Sequence, residues 1–204
     1  FLNLYGSAEG RMEGNLNLRT ALSENLTSMT LLHGSTLQNS IDRNHDRFLD
    51  MPRFGTMNAI QRFHFSHLAG WEGQIGVQYV QDAKRGGTID GAEMSNDELR
   101  LHPQEYRFTM NGDQLRVWGK TGHVFPQKQY QSIGLQWSLT RNRQHALFPT
   151  HAYDGNEETA YLNLIYQSVI GTTEHQFRTG LSLLRDAYDE TYGLSRYQRT
   201  EIVP

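Results

Sequence analysis

Polar and apolar residues alternate along most of this chain, which is the pattern of β-strands with two different faces. Eight segments show the alternation, from RMEGNLNLRT near the start to HQFRTGLSLL near the end. In SIGLQWSLT, one of the clearest, the apolar set is Ile133, Leu135, Trp137 and Leu139. In TSMTLLHGSTLQ the pattern groups His33 with Met29, Leu31 and Leu37, which assigns His33 to the apolar face. The sequence therefore predicts an all-β chain of about eight strands with no helix.

The connections between these segments alternate between short and long. The short ones are residues 22–25, 68–73, 126–129 and 171–174. The long polar ones are residues 39–56, 82–113 and 141–158. Tight turns at one edge and extended loops at the other are typical of an antiparallel up-and-down transmembrane β-barrel.

The polar face favours a membrane barrel over a soluble sandwich. It carries Arg, Asn, Gln and Glu in the middle of strands, which suits a water-filled interior. Aromatic residues stand near strand ends, as in the interfacial girdles of barrels, at Trp71, Tyr79, Phe125, Tyr130, Tyr161 and Tyr188. A soluble sandwich also alternates, although it usually needs Greek-key crossings. A soluble β-rich binding module therefore remains an alternative.

Composition and the absence of catalytic motifs exclude several classes of function. The net charge is −3, with no basic excess, so we expect no nucleic-acid partner. Cysteine is absent, which excludes disulfides and thiol chemistry within the chain. The sequence offers no nucleophile elbow, phosphate loop or pair of carboxylates that we can place at catalytic distance. We therefore expect a protein that is not an enzyme.

Four segments in order resemble TonB-dependent outer-membrane receptors of the cobalamin and siderophore type. They are SIDRNHDRFLDMPRFGTMNAIQRFHF, GKTGHVFPQKQYQSIGLQWSLT, YDGNEETAYLNLIYQSVIG and HQFRTGLSLLRDAYDETY. Members of this family commonly show an Asp-x-Asn-x-Asp-Gly-Phe-x-Asp external loop and a Lys-Thr-Gly-x-x-Phe-Pro segment before a strand. The second is similar to Lys120–Pro126 here.

The resemblance implies that residues 1–204 supply about eight strands from the middle of a plugged barrel of about 22 strands. The plug domain and the C-terminal strands would be absent from this stretch. The implied function is active uptake of a scarce nutrient such as cobalamin, a ferric siderophore or haem, across the outer membrane of a Gram-negative bacterium. The implied partners are that ligand, the TonB complex acting through the plug, a surface lipoprotein and membrane lipid. A passive porin-like barrel is the alternative.

The acidic stretch SIDRNHDRFLDMPRF is a candidate calcium loop. Asp42, Asn44, Asp46 and Asp50 match positions 1, 3, 5 and 9 of such a loop, and the Phe48 carbonyl matches position 7. Arg47 replaces the usual glycine at position 6, and Arg53 replaces the usual glutamate at position 12. The sequence therefore leaves two alternatives open, a bound Ca²⁺ or a polar loop held by Asx turns and salt bridges.

Two further groups are candidate binding residues. His145, His151 and Tyr153 fall in the predicted external loop 141–158, and His and Tyr are ligands that suit iron or haem. A second group is predicted to line the lumen and to contact the plug or an anionic ligand: Arg62, His64, Arg116, Lys120 and Arg178. For both groups an ordinary polar surface is the alternative.

Overall fold

Ten antiparallel strands follow one another in chain order in a single sheet. The computed structural model describes the backbone of residues 1–204 and the side chains of all except residues 67, 68 and 173. The strands are β1 (Leu2–Gly6), β2 (Met12–Ser23), β3 (Leu26–Leu37), β4 (Arg53–Leu68), β5 (Trp71–Gly87), β6 (Arg107–Val124), β7 (Ser132–Leu147), β8 (Ala152–Ile170), β9 (Thr172–Tyr192) and β10 (Ser195–Val203). Two helices, α1 (Ile89–Glu93) and α2 (Asn96–Leu101), lie between β5 and β6.

The all-β, up-and-down arrangement is confirmed, and two details of the prediction are wrong. There are ten strands rather than about eight, and the two additional ones are the outer strands β1 and β10. There are also two short helices where none was expected. Ser95 and Glu98 form a capping box at the start of α2, and Thr88 caps α1. Neither helix is long and apolar enough to span a bilayer, nor is any other in the described chain.

Strand register gives the sheet one apolar face and one polar face, because residues paired across adjacent strands point to the same side. In seven of the eight segments the alternating set falls on the apolar face. These sets are Met12, Leu16 and Leu18 in β2; Met57, Ala59, Phe63 and Phe65 in β4; Ile75, Val77 and Tyr79 in β5; Leu115 and Val117 in β6; Ile133, Leu135, Trp137 and Leu139 in β7; Leu162, Leu164, Tyr166 and Ile170 in β8; and Phe177, Thr179, Leu181 and Leu183 in β9. Leu135 pairs with Leu164, which pairs in turn with Leu181, so three leucines form one row across three strands. We call the apolar side chains of this face, on strands β2 to β9, the apolar band.

Strand β3 is the exception, and the assignment of His33 to the apolar face is wrong. His33 pairs with Asn15, and its Nδ1 lies 2.7 Å from the Asn15 Oδ1. Met29 on the same side pairs with Arg62. Both faces of β3 carry apolar residues, so its own sequence does not distinguish them. The neighbouring strands determine which face of β3 joins the apolar face of the sheet, because a shift of one residue in register would exchange the two faces of the strand.

The sheet has almost no hydrophobic core. In the described part of the chain, the buried apolar residues are Leu37, Ala92 and Ala146. The accessible surface is 13717 Å², against about 9,800 Å² expected for a compact globular protein of this mass. Leu139 and Leu181 in the apolar band expose 55% and 77% of their surface. The chain is thus a single layer of sheet whose apolar face is uncovered.

The sheet is open rather than closed. Strands β1 and β10 are its two edges, and among the described strands they pair only with β2 and β9. Each edge presents a row of backbone N–H and C=O groups available for a further strand.

The predicted long loops are shorter in the structure. The β5–β6 connection is residues 88–106 rather than 82–113, and the β3–β4 connection is residues 38–52 rather than 39–56. The predicted loop 141–158 is wrong, because strands β7 and β8 run through it and leave a turn of residues 148–151. Cross-strand ion pairs explain why these polar segments stay paired, as in Arg143 to Asp113 at 2.8 Å. The two longest connections still lie at the same end of the sheet.

Candidate functional site

The connections 38–52 and 88–106 pack against each other at one end of the sheet. We call them the docked loops. The Leu49 amide donates to the Gly87 carbonyl and the Ile89 amide donates to the Arg47 carbonyl, each at 2.9 Å. Phe48 and Thr88 form an isolated antiparallel bridge. These backbone hydrogen bonds join the two loops in the manner of a short antiparallel β-ladder.

Thr88 is the buried centre of the docked loops, with 6% of its surface exposed. Its hydroxyl donates to the Glu105 carboxylate at 2.5 Å and accepts from the Gly91 amide at 3.2 Å. Arg47 reaches the same cluster, with its Nη2 2.7 Å from Asp90 and 3.5 Å from Glu105. Salt bridges of this kind are part of the polar-loop alternative to a calcium site. These contacts tie loop 38–52 to α1.

The candidate calcium loop is held together by Asx turns. The Asp42 carboxylate accepts from the Arg47 amide at 3.0 Å, and Asp46 accepts from the Phe48 amide at 2.8 Å. Asp50 accepts from the Arg43 amide at 2.8 Å. Arg47 has a φ of 69°, in the left-handed region, so the chain makes a sharp turn at position 6 without glycine.

The fit of this loop to Ca²⁺ is partial. A carboxylate oxygen that accepts one amide hydrogen keeps a second lone pair that can reach an ion. Position 12 supplies no side-chain carboxylate, because Arg53 stands there and forms an ion pair with Glu93. Within the described residues, no group of three or more His, Asp or Glu side chains is arranged to hold a metal ion. Calcium binding at Asp42, Asn44, Asp46, Phe48 and Asp50 stays a prediction.

Titration with CaCl₂ in a calorimeter measures this prediction directly. We expect one ion per chain with a dissociation constant of about 10⁻⁴–10⁻³ M, the range of extracellular calcium modules. Asp42→Asn is expected to weaken binding strongly, because it removes the ligand at position 1. Asp97→Asn is the matched control, since Asp97 is on α2 and its side chain is 95% exposed. An absence of heat at millimolar calcium would leave the polar loop as the correct description.

His145, His151 and Tyr153 do not converge on one site, and their placement in a long loop is wrong. His145 is in β7 on the apolar side of the sheet, with its Nδ1 2.5 Å from Asp154. Tyr153 is in β8 on the polar side and donates to Glu190 at 3.0 Å. Burial, followed by the hydrogen bond to Glu190, raises the pKa of Tyr153. His151 is in the turn, stacked on Tyr192 with 5.2 Å between ring centroids.

A belt of charged residues continues the apolar face beyond the apolar band. Its central row pairs Asp113, Arg143, Asn156 and Asp189 across four strands. Arg196 lies 2.7 Å from Asp189, and that guanidinium lowers the pKa of the Asp189 carboxyl. We call these five residues the charged belt. Opposite charges are adjacent in two places, Asp113 with Arg143 and Asp189 with Arg196, so the charged belt stabilises the extended ends of strands β6 to β10.

The five predicted lumen residues all lie on the polar face, as expected. His64 pairs with Gln74, and Gln74 pairs with Lys120, so these two predicted residues are in one row, two strands apart. Arg178 donates to Gln167 at 2.8 Å, and Arg62 contacts the Met29 sulfur at 2.9 Å. Arg116 pairs with Gln78 in the register. Whether this face lines a lumen remains a prediction.

Three arginines at the docked loops were missed by the sequence reasoning. Arg53, Arg85 and Arg107 come from strands β4, β5 and β6, and they lie beneath α1 and α2. No local motif marks them, because they are far apart in the chain. The capping box of SNDE, residues 95–98, was a detectable signal for the helix that covers them.

Comparisons with protein families, with characterised proteins and with solved structures found no match to this chain.

Proposed function

We propose that this chain forms part of the wall of a TonB-dependent receptor barrel in the outer membrane of a Gram-negative bacterium. In this role it takes up a scarce nutrient such as cobalamin, a ferric siderophore or haem. The observation that carries the proposal is the apolar band, which runs across the eight strands β2 to β9 and is uncovered. In water, an apolar surface of this extent would be strongly unfavourable, whereas in hydrocarbon it has no such cost.

The polar face supports the same assignment. In a plugged barrel the inner wall is wet and contacts the plug through polar side chains. Strands β4 and β6 bring Arg62, His64, Arg116 and Lys120 to this face, and Arg178 joins them from β9. We propose that they contact the plug or an anionic ligand inside the barrel.

The open edges support a larger assembly. Backbone groups at a sheet edge cannot remain unpaired in hydrocarbon, so membrane barrels are closed. Strands β1 and β10 would each pair with a further strand, and ten strands would then be a segment of a larger closed barrel.

The two ends of the sheet differ as they do in outer-membrane barrels. The connections at the end opposite the docked loops are residues 24–25, 69–70, 125–131 and 171, and all are shorter than either docked loop. Short turns face the periplasm and long connections face the cell exterior in such barrels. The docked loops would therefore face outward, where ligand and a surface lipoprotein meet the receptor.

Uptake of radiolabelled ligands by cells that produce this chain within the complete plugged barrel that the proposal implies tests the proposal. Cobalamin, ferric siderophores and haem are supplied at nanomolar concentration, with and without functional TonB. We expect one of them to accumulate only when both the protein and TonB are present. Uptake that is independent of TonB and linear with concentration would indicate a passive porin instead. No uptake of any of them, with the protein soluble in the absence of detergent, would indicate a soluble module.

A further inference from the structure

Three arginines from three adjacent strands meet beneath the helices of the docked loops. Arg53 and Arg85 are directly paired across β4 and β5. Arg107 pairs with Gly87, two residues beyond Arg85 on β5, so it is diagonal to Arg85 on the same face. Side chains paired in this way are about 4.5–5.5 Å apart at Cβ, and like charges in direct opposition are destabilising. We call the space around these three residues the arginine pocket.

Arg107 is the most deeply buried of the three, and no carboxylate among the described side chains is paired with it. It exposes 6% of its surface. Its guanidinium donates to the Met94 carbonyl and to the Asn96 side-chain oxygen, which are neutral acceptors. Burial, together with the positive charge of Arg85, lowers the pKa of Arg107. A buried charge is normally paired with an opposite charge. Here the hydrogen bonds of Arg107 are satisfied by neutral acceptors, but its positive charge is not compensated.

The other two arginines leave hydrogen-bonding capacity in the pocket. Arg53 forms an ion pair with Glu93, but its buried Nε has no partner among the described residues. Arg85 is exposed and makes one long contact to the Ala92 carbonyl at 3.4 Å. An arginine carries five N–H donors, so Arg85 can offer most of its guanidinium to a ligand.

The cavity that contains these residues has a volume of about 850 Å³. Three basic side chains face it, Arg53, Arg85 and Arg107, against two acidic ones, Glu93 and Glu98, for a net charge of +1. The Lys84 side chain points to the other face of the sheet, where it is paired with Asp82 at 2.9 Å. Glu98 is engaged by the amide and hydroxyl of Ser95 at 2.8 Å, and Glu93 by Arg53. The two glutamates are thus engaged, and the arginines leave a net positive charge that favours a bound anion.

We propose that the arginine pocket binds a phosphate-type anion, either a soluble phosphate or the phosphate group of a lipid. The planar guanidinium fork matches phosphate oxygens in a bidentate arrangement, and Arg85 lies at the open side of the cavity. The bound anion offsets the repulsion between Arg53 and Arg85 and the unpaired charge of Arg107. The pocket lies beyond the apolar band and does not depend on the receptor proposal.

The test is calorimetry on the full chain in non-ionic detergent, with two phosphate sources. Inorganic phosphate probes the soluble source. Dihexanoyl phosphatidic acid probes the lipid source, with dihexanoyl phosphatidylcholine as its net-neutral counterpart. We expect saturable binding of at least one of the two anions, with the stronger of them identifying the source. Arg85→Gln is expected to weaken binding by about tenfold or more, the effect of losing one charge-assisted hydrogen bond, and Arg85→Lys by less.

Arg143→Gln is the matched control, because Arg143 lies on the same face but is already paired with Asp113 at 2.8 Å. Circular dichroism establishes that each variant retains the β-sheet of the parent. Equal weakening by Arg85→Gln and Arg143→Gln would mean that the anion responds to overall charge, and this outcome overturns the proposal. An absence of saturable binding by both anions also overturns it. Neither result bears on uptake, so the receptor proposal is tested separately.

Discussion

Replacing Leu164 with arginine is expected to destabilise the protein in lipid vesicles by about 2–4 kcal/mol, the cost of a lipid-facing arginine near the bilayer midplane. Leu164 lies between Leu135 and Leu181 in a row of the apolar band, so a charge there has no polar neighbour on the same row. The measurement is the free energy of unfolding from denaturant titration of the protein folded into vesicles.

Asn163→Arg is the matched control for that change. Asn163 is the adjacent residue, but it faces the polar side and pairs with Gln136 and Ser182. Arginine there stays in water, so we expect a change of less than about 1 kcal/mol, as for most exposed substitutions. Equal costs at the two positions would contradict the division of the sheet into a lipid face and a wet face.

Replacing Gly87 with alanine is expected to loosen the docked loops, with a cost of about 1–3 kcal/mol from backbone strain alone. Gly87 has a φ of 131°, which side-chain-bearing residues rarely adopt, and an added Cβ would overlap the Tyr106 carbonyl. The Gly87 carbonyl also accepts from the Leu49 amide, so its position sets how the two loops meet. Thermal unfolding and hydrogen exchange at the Leu49 amide measure the effect.

Gly55→Ala controls for the loss of a strand glycine. Gly55 has no atom within 4 Å of an added Cβ, and its φ is not positive. We expect it to leave both the midpoint of unfolding and the exchange of the Leu49 amide close to those of the parent. If Gly87→Ala also left the midpoint of unfolding and the exchange of the Leu49 amide unchanged, the backbone at the junction of β5 with the docked loops would not be constrained as its geometry indicates.

The faces of the strands could be predicted wherever one face of a strand is consistently apolar. Ile133, Leu135 and Trp137 identify their face from the sequence alone, because alternation has a strict period of two. Strand β3 has apolar residues on both faces, so the pairing of His33 with Asn15 depends on its neighbours and could not be read locally.

The strand ends could not be predicted, because the alternation of hydrophobic residues stops where the apolar band stops. Beyond Leu139 the chain is polar on both faces, so Arg143 and His145 resemble loop residues. What keeps them in strands is long-range pairing, with Asp113 on one side and Asp154 on the other. The arginine pocket could not be predicted either, because its residues come together only through the long-range register of three strands.

Quenching of a fluorophore at consecutive positions of β7 tests the membrane assignment most directly. The chain has no cysteine, so a single introduced cysteine carries a single label. The variants are Leu135→Cys, Gln136→Cys, Trp137→Cys and Ser138→Cys, each labelled with bimane in lipid vesicles. We predict that brominated lipid quenches the labels at 135 and 137, while aqueous iodide quenches those at 136 and 138. Labels at 135 and 137 that are shielded from lipid, or quenched by iodide as strongly as their neighbours, would contradict the account.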